Sequence, residues 1–141
     1  MFLKGKTALV TGSTSGIGLG YARALAAEGA AVMINGFGDQ AEIDGYVAEL
    51  AKTSGAGAKY SPADMTKPDE IRAMVADCGK EIGAPDIVIC NAGIQHVAPV
   101  DDFPEEKWDA LIAVILSSTF HTVSAALPAM KESGWGRIIN T

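Results

Sequence analysis

Cysteine, basic residues and long apolar runs are scarce in this sequence, and each shortage excludes a class of protein. Only Cys78 and Cys90 are cysteines among its 141 residues, too few for a disulfide-stapled fold, which favours a reducing cytoplasm. The 11 lysines and arginines are outnumbered by 17 aspartates and glutamates, for a net charge of −6. Because these basic residues form no cluster, the sequence predicts no binding to nucleic acid or to anionic membranes.

Apolar runs are also short. No stretch approaches the ~18 consecutive apolar residues of a membrane span, and the N-terminus has no apolar core of signal-peptide length. The overall balance of 48% hydrophobic and 20% charged residues is typical of a globular protein and argues against disorder. The length suits one domain, so we expect a single cytoplasmic domain over residues 1–141.

Short β-branched runs alternate with longer helical patterns along the chain. We predict strands at 7–11, 31–34, 58–61, 86–90 and 136–140, and helices at 17–28, 40–52, 66–82 and 105–126. Thr66 is the predicted N-cap of the third helix, and the fourth should end before Pro128. Strands separated by helices indicate an α/β fold with a doubly wound parallel sheet. No closing helix follows the last strand, which suggests a fragment truncated at its C-terminal end.

A glycine-rich loop links the first strand to the first helix. Gly12, Gly16 and Gly18 follow the pattern G-x-x-x-G-x-G. A strand, a glycine turn and a helix N-terminus together make an anion site, because free N–H groups and the helix dipole point at one spot. The loop therefore predicts a site for the pyrophosphate of a dinucleotide.

This glycine spacing, together with Asn91-Ala92-Gly93 after the fourth strand, resembles the short-chain dehydrogenase/reductase family over the whole chain. The resemblance implies a Rossmann-type sheet with strand order 3-2-1-4-5-6-7, of which five strands are present, and a nicotinamide dinucleotide cofactor. It also implies three groups of cofactor-binding residues: Gly12, Thr14, Ser15, Gly16, Ile17 and Gly18 at the pyrophosphate; Phe37, Ala63, Asp64 and Met65 at the adenosine; and Asn91, Ala92, Gly93 and Val114 at the nicotinamide side.

The end of the second strand bears on the choice between NAD and NADP. A carboxylate there normally binds the ribose hydroxyls of NAD, and an arginine favours NADP. Asn35, Gly36 and Phe37 offer neither, and the lack of a nearby cation favours NAD. Phe37 fits two roles equally well, a contact to the adenosine or a hydrophobic plug over the helix. Asp39 fits a helix cap better than a ribose ligand.

The segment 93–109 resembles, within this family, the bacterial D-3-hydroxybutyrate dehydrogenases. That resemblance implies hydride transfer from D-3-hydroxybutyrate to NAD, yielding acetoacetate, in ketone body metabolism by a cytoplasmic tetramer. It also implies that Gln95 binds the substrate carboxylate, as a neutral amide N–H can do; the alternative is a loop residue bonded to nearby backbone. His96 and His121 fit structural roles, and no metal site is predicted.

The catalytic residues of the family are absent from this chain. The family uses a tyrosine with a lysine four residues later, but Tyr21, Tyr46 and Tyr60 are followed at that spacing by leucine, leucine and aspartate. The family's catalytic serine would lie beyond Asn140. Ile115 stands where the family carries an asparagine of its proton relay. Two alternatives therefore stay open, a non-catalytic NAD-binding or oligomerisation fragment and a dehydrogenase of different substrate.

Overall fold

The computed structural model describes all 141 residues, which form five strands with helices on both sides of the sheet. The helical segment after the fourth strand begins with a 3₁₀ turn at Val100–Asp102. It continues as one long helix, Glu105–Ser133, which contains a π-helical turn at Ile112–Ser117. The elements are β1 (Thr7–Val10), α1 (Gly16–Ala27), β2 (Ala31–Asn35), α2 (Gln40–Ser54), β3 (Ala58–Ser61), α3 (Pro68–Glu81), β4 (Ile87–Cys90), α4 (Glu105–Leu111), α5 (Ser118–Ser133) and β5 (Arg137–Asn140).

The five strands are all parallel and lie in the order β3-β2-β1-β4-β5. This arrangement confirms the predicted doubly wound sheet. Leu9 of β1 is paired with Met33 on one side and with Val88 on the other. The chain runs from β1 outward through β2 to β3 on one side and then crosses to β4 on the other side of β1. At such a reversal of strand order a crevice opens at the carboxyl ends of the strands.

Alternate residues of the strands face two separate cores, one on each side of the sheet. Leu9, Met33 and Val88 pack with apolar side chains of α3 and α5. Ala8 and Val10, which face the other way, pack with side chains of α1 and α2. The period of two along each strand explains why both faces are apolar, as a sheet covered by helices on both sides requires.

Local signals account for most element boundaries. The Asp39 carboxylate accepts a hydrogen bond from the Glu42 backbone N–H at 3.1 Å, which confirms its prediction as a helix cap. Gly55 ends α2 with a φ of +66°, in the left-handed conformation that glycine adopts without a Cβ clash. Gly29, with a φ of +90°, follows α1 in the same way.

Two predicted boundaries were wrong. The N-cap of α3 is Lys67 and not Thr66, because a residue before proline prefers the extended backbone that Lys67 adopts. The long helix continues through Pro128 to Ser133. Proline leaves the Ser124 carbonyl without an intrahelical donor, but Ser124 and Pro128 are both exposed, so water can bond that carbonyl while Met130 stays buried.

The long helix Glu105–Ser133 is unusually apolar on its outer side. By length and composition alone it could cross a membrane, since an 18-residue window has a mean hydropathy of 1.8 with 22% of that window buried. One such helix is weak evidence, because a core helix of a soluble protein passes the same test. Thr122 and Ala126 are buried on the inner side of the helix, whereas Leu116 and Phe120 are 65% and 67% exposed. The expectation that the protein binds no membrane stays a prediction.

Candidate functional site

A cleft of about 380 Å³ lies at the carboxyl ends of the strands, in the crevice beside β1. Its lining comes from the loops that follow β1, β2, β3 and β4 and from the π-helical turn. Every residue that the sequence predicts to bind the cofactor lines it: Gly12, Thr14, Ser15, Gly16, Ile17, Gly18, Phe37, Ala63, Asp64, Met65, Asn91, Ala92, Gly93 and Val114. Asn35, Gly36 and Ile94 complete the lining. The fold thus gathers the whole set, although its binding role stays a prediction.

Two glycines let the loop after β1 lie directly on its neighbours. Gly12 has a φ of +59°, and a Cβ built on it would lie 2.7 Å from the Cα of Ala92. A Cβ on Gly18 would collide with the Gly12 carbonyl oxygen and lie 2.5 Å from Asn91 Nδ2. The close approach of α1 to the sheet therefore requires that Gly12 and Gly18 have no side chain.

The N-terminus of α1 points its positive end into the cleft without compensation. Its first turn contains no acidic residue, and the N-cap Ser15 makes no side-chain capping bond. By contrast, the first turn of α2 contains Glu42, and that of α3 contains Asp69 and Glu70. The first N–H groups of a helix have no intrahelical partner, so α1 is the helix whose dipole and donors best suit an external anion.

The three hydroxyls of the loop differ in function. Ser13 is fully buried, and its hydroxyl donates to the Val10 carbonyl at 2.6 Å. The Thr14 hydroxyl donates to the Phe37 carbonyl at 2.7 Å, which joins the loop after β1 to the loop after β2. Ser15 is exposed and free of capping. Of the three, Ser15 is the one whose hydroxyl is best placed for a ligand.

Thr11 and Asn91 connect the ends of β1 and β4. The Asn91 side-chain amide donates to the carbonyls of Thr11 and Gly12, at 3.1 and 2.9 Å. Sequence reasoning did not identify Thr11, although a polar residue that ends an otherwise apolar strand was a visible signal. These bonds hold the glycine loop against the loop that begins at Asn91.

The loop after β3 forms the adenosine wall, the part of the cleft that the family resemblance predicts to contact the adenosine. The Asp64 carboxylate accepts hydrogen bonds from the Thr66 backbone N–H at 2.9 Å and from the Thr66 hydroxyl at 2.7 Å. These bonds, chiefly the backbone one, hold the pKa of Asp64 below its usual value. Glu70 accepts from the Asp64 backbone N–H at 2.8 Å and pairs with Lys67 at 3.1 Å. These hydrogen bonds and the ion pair hold the loop after β3 in place. Asp64 is the sole charged side chain in the cleft lining.

The mouth of the cleft carries the remaining predicted residues. Phe37 is 68% exposed, so the structure does not favour its reading as a hydrophobic plug. Gln95 is exposed and lies just outside the lining, next to Ile94. His96 packs edge-on against Phe103 with ring centroids 5.2 Å apart, as its structural reading predicts. His121 packs against Phe120, away from the cleft.

No tyrosine or thiol in the chain is placed for chemistry at the cleft. None of the three tyrosines lines it, and the Tyr60 hydroxyl donates to the Gly36 carbonyl at 2.8 Å while burial raises its pKa. Burial also raises the pKa of the Cys78 thiol to about 12 and raises that of Cys90. Both cysteines are free and are kept as neutral thiols at physiological pH.

Comparison with known proteins agrees with this geometry. Residues 6–141 match the family model described as short chain dehydrogenase. The chain belongs to the short-chain dehydrogenase family. It is 56% identical over 139 residues to a D-beta-hydroxybutyrate dehydrogenase of Cupriavidus necator, a match that covers 98% of the chain and 53% of the relative. It is 53% identical to the Rhizobium meliloti protein of the same name, over 96% of the chain and 52% of the relative.

Solved structures support the same fold. A blue fluorescent protein from a metagenomic library, in complex with NADPH, superimposes with a TM-score of 0.91 at 30% identity, covering 99% of this chain and 56% of that one. A metagenomic short-chain oxidoreductase in complex with NADP gives a TM-score of 0.90 at 32% identity, covering 99% and 63%. The chain spans about half the length of the curated relatives it matches. The NADPH and NADP held by these two similar structures support a nicotinamide cofactor for the family.

Proposed function

We propose that this chain is the cofactor-binding part of an NAD-dependent oxidoreductase that converts D-3-hydroxybutyrate to acetoacetate. The observation that carries the proposal is the cleft, in which an uncompensated helix N-terminus faces the glycine loop. The two relatives above, which are 56% and 53% identical to it over the aligned residues and are named for D-beta-hydroxybutyrate, support this substrate.

The residues that line the cleft fit a bound dinucleotide. The N–H groups at the start of α1, with Ser15, would hold the pyrophosphate, and Asp64 and Phe37 would contact the adenosine. Val114 and the 91–93 loop would lie beside the nicotinamide, which when bound supplies the hydride acceptor. The protein's own groups here bind and orient the cofactor; proton transfer would need groups outside these 141 residues.

The lack of positive charge in the cleft supports NAD over NADP. No lysine or arginine contributes to the lining, and Asp64 adds a negative charge. A 2′-phosphate would therefore be desolvated without a counter-ion, at a cost of free energy. Two similar structures hold NADPH or NADP, so the direct comparison of the two cofactors is part of the test.

Substrate binding is proposed for Gln95. Its amide would donate to the substrate carboxylate from the loop that continues the lining past Ile94. A neutral amide can do this at any physiological pH. Gln95→Glu should raise the KM for D-3-hydroxybutyrate more than about tenfold, equivalent to ~1.4 kcal/mol, and leave the dissociation constant for NAD unchanged. Gln40→Glu, the same change on the exposed surface of α2, is the matched control.

The deciding experiment joins mass and turnover on one sample. The protein is purified from its complete gene, its intact mass is measured, and NAD reduction is followed with D- and L-3-hydroxybutyrate and again with NADP. Turnover of the D isomer with NAD supports the proposal. Binding of NAD without turnover of either isomer supports the alternative of a non-catalytic binding module, and turnover of another alcohol in preference supports a different substrate. A preference for NADP overturns the cofactor assignment.

A further inference from the structure

One side chain, that of Asn35, joins three neighbouring segments of the cleft. Asn35 ends β2 and is fully buried. Its Oδ1 accepts a hydrogen bond from the Gly12 backbone N–H at 3.3 Å. Its Nδ2 donates to the carbonyl of Ser61 at 3.2 Å and to that of Ala63 at 2.9 Å. The same amide thus touches the glycine loop on one side and the start of the adenosine wall on the other.

The backbone of Asn35 is held as firmly as its side chain. Its N–H donates to the Ser13 hydroxyl at 3.0 Å, and its carbonyl accepts from the Ser13 N–H at 2.6 Å. The amide is therefore anchored to β1 before it reaches across to the end of β3. Although Asn35 borders the cleft, its side chain is fully buried, and both of its polar atoms are bonded to backbone atoms of the protein.

We propose that Asn35 is a positioning residue that couples the phosphate-binding loop to the adenosine-binding wall. A dinucleotide spans these two segments. If one segment shifted relative to the other, the pyrophosphate and the adenosine could no longer make their contacts at the same time. Asn35 sets that distance through a single rigid amide. This inference rests on the proposed binding of a dinucleotide in the cleft. Asn35 stands at the end of β2, where the sequence offers no carboxylate to bind the ribose, and the inference gives it a different role.

Asparagine is the residue type whose hydrogen-bonding groups match this position. Its side chain supplies one acceptor for Gly12 and two donors for the two carbonyls. Aspartate of the same shape has no donor when ionised, so Asn35→Asp would face two carbonyl oxygens with a buried charge. Serine is too short to bridge all three partners, and alanine leaves the three backbone groups without a partner.

The other brace of the wall does not make this connection. Glu70 bonds the Asp64 N–H from the outer side, and its further partner is Lys67, which also belongs to the region after β3. Glu70 can stiffen the wall but cannot relate it to the glycine loop. Thr14 bonds the glycine loop to Phe37, which lies on the β2 side. Asn35 is thus the side chain that bonds both segments directly.

The test measures binding of the whole ligand and of its parts to the full-length protein. Dissociation constants are determined for NAD, ADP, adenosine and inorganic pyrophosphate with the wild type, Asn35→Ala and Asn35→Ser. Adenosine probes the wall, pyrophosphate probes the loop, and ADP needs both in register. For Asn35→Ala we expect ADP and NAD to bind about tenfold more weakly, equivalent to ~1.4 kcal/mol, while adenosine and pyrophosphate each change by less than about threefold.

Ser13→Ala is the control. It removes buried bonds at the same loop, including the one from the Asn35 backbone N–H, but leaves the bonds that link the Asn35 side chain to Gly12 and Ala63 in place. It should change the affinities for ADP and pyrophosphate by equal factors. If Asn35→Ala does not fold, Asn35→Ser is tested in the same way, by comparing the loss of affinity for ADP with the losses for adenosine and for pyrophosphate. Equal losses for all four ligands, or no loss for ADP, would overturn the positioning role while leaving the proposed function standing. A wild type that binds neither NAD nor ADP would overturn both.

Discussion

The Thr11 hydroxyl oxygen accepts hydrogen bonds from two consecutive backbone N–H groups, those of Asn91 and Ala92, each at 3.0 Å. Thr11 is 1% exposed, so this oxygen satisfies two donors that have little access to water. One side chain at the end of β1 thereby sets the start of the loop after β4, against which the glycine loop packs.

Removing that oxygen should destabilise the protein. Thr11→Val keeps the shape of the side chain but leaves two donors without an acceptor, and each such group costs about 1–3 kcal/mol. We expect the free energy of unfolding to fall by at least ~2 kcal/mol, measured by urea denaturation. Thr11→Ser keeps the hydroxyl and should lose far less. Equal losses in the two variants would show that packing of the methyl group, and not the acceptor, matters here.

The close contact of α1 with the sheet gives a second prediction. A Cβ at Gly18 would collide with backbone of the glycine loop, so Gly18→Ala must displace the loop or the helix. We expect NAD to bind more than about tenfold more weakly, equivalent to ~1.4 kcal/mol, as measured by calorimetric titration. Gly20 lies in the same helix, is exposed, and has no atom within 4 Å of a built Cβ.

Gly20→Ala is therefore the control for helix propensity. It should leave NAD binding unchanged and stabilise the protein by up to about 1 kcal/mol, since glycine is a poor helix former. If both alanine variants bind NAD like the wild type, the close approach at Gly18 has no part in cofactor binding.

Local patterns predicted the elements, and the family resemblance predicted residues that line the cleft, but neither predicted the bonds that cross between segments. Strand β3 lies at 58–61 as predicted, and the loop with the predicted glycine spacing lines the cleft. The N-cap was wrongly assigned because the Thr66 hydroxyl bonds back to Asp64, a choice that depends on the fold of the preceding loop. Asn35 and Thr11 were not recognised as connectors, since their partners lie more than 20 residues away along the chain.

The proposed preference for NAD over NADP should be reversible by one added charge. Phe37 is exposed at the mouth of the cleft, beside the end of β2 where an arginine favours NADP. We expect Phe37→Arg to raise the affinity for NADP about tenfold, because a hydrogen bond to a charged group contributes roughly 1.5–3 kcal/mol and part of that is lost to solvent screening. Phe2→Arg places the same charge at an exposed aromatic position outside the cleft and should not change the ratio of NAD to NADP affinity.

The bonds from Thr66 to Asp64 predict a pH dependence. Because they lower the folded-state pKa of Asp64, they stabilise the protein above the ordinary carboxyl pKa of 3.8, and this contribution is lost as the pH falls through the lower folded value. Thr66→Val removes the hydroxyl bond and keeps the backbone bond. The pKa of Asp64, followed by carboxyl NMR, should therefore rise but stay below its ordinary value.

Thr66→Val should be less stable than the wild type at neutral pH. The difference in stability should vanish in strong acid, where the Asp64 carboxyl is protonated in both proteins. Thr53→Val, on the exposed surface of α2, should show no such pH-dependent difference. A Thr66→Val protein with an unaltered Asp64 pKa would contradict the assignment of the hydroxyl bond.

The exposed apolar side of the long helix predicts self-association in water. The family resemblance implies a tetramer, and Leu116 and Phe120, one helical turn apart, present a large apolar surface of the kind that marks interfaces. Replacing both with glutamate would bury two charges in such an interface, which costs far more than the lost apolar contacts. We expect the mass in solution, measured by light scattering, to fall from that of an oligomer to that of a smaller species.

Phe2→Glu, the control, changes another exposed aromatic residue and should leave the mass unchanged. If the double variant assembles like the wild type, the interface lies elsewhere; if the wild type requires detergent to stay in solution, the helix contacts lipid instead.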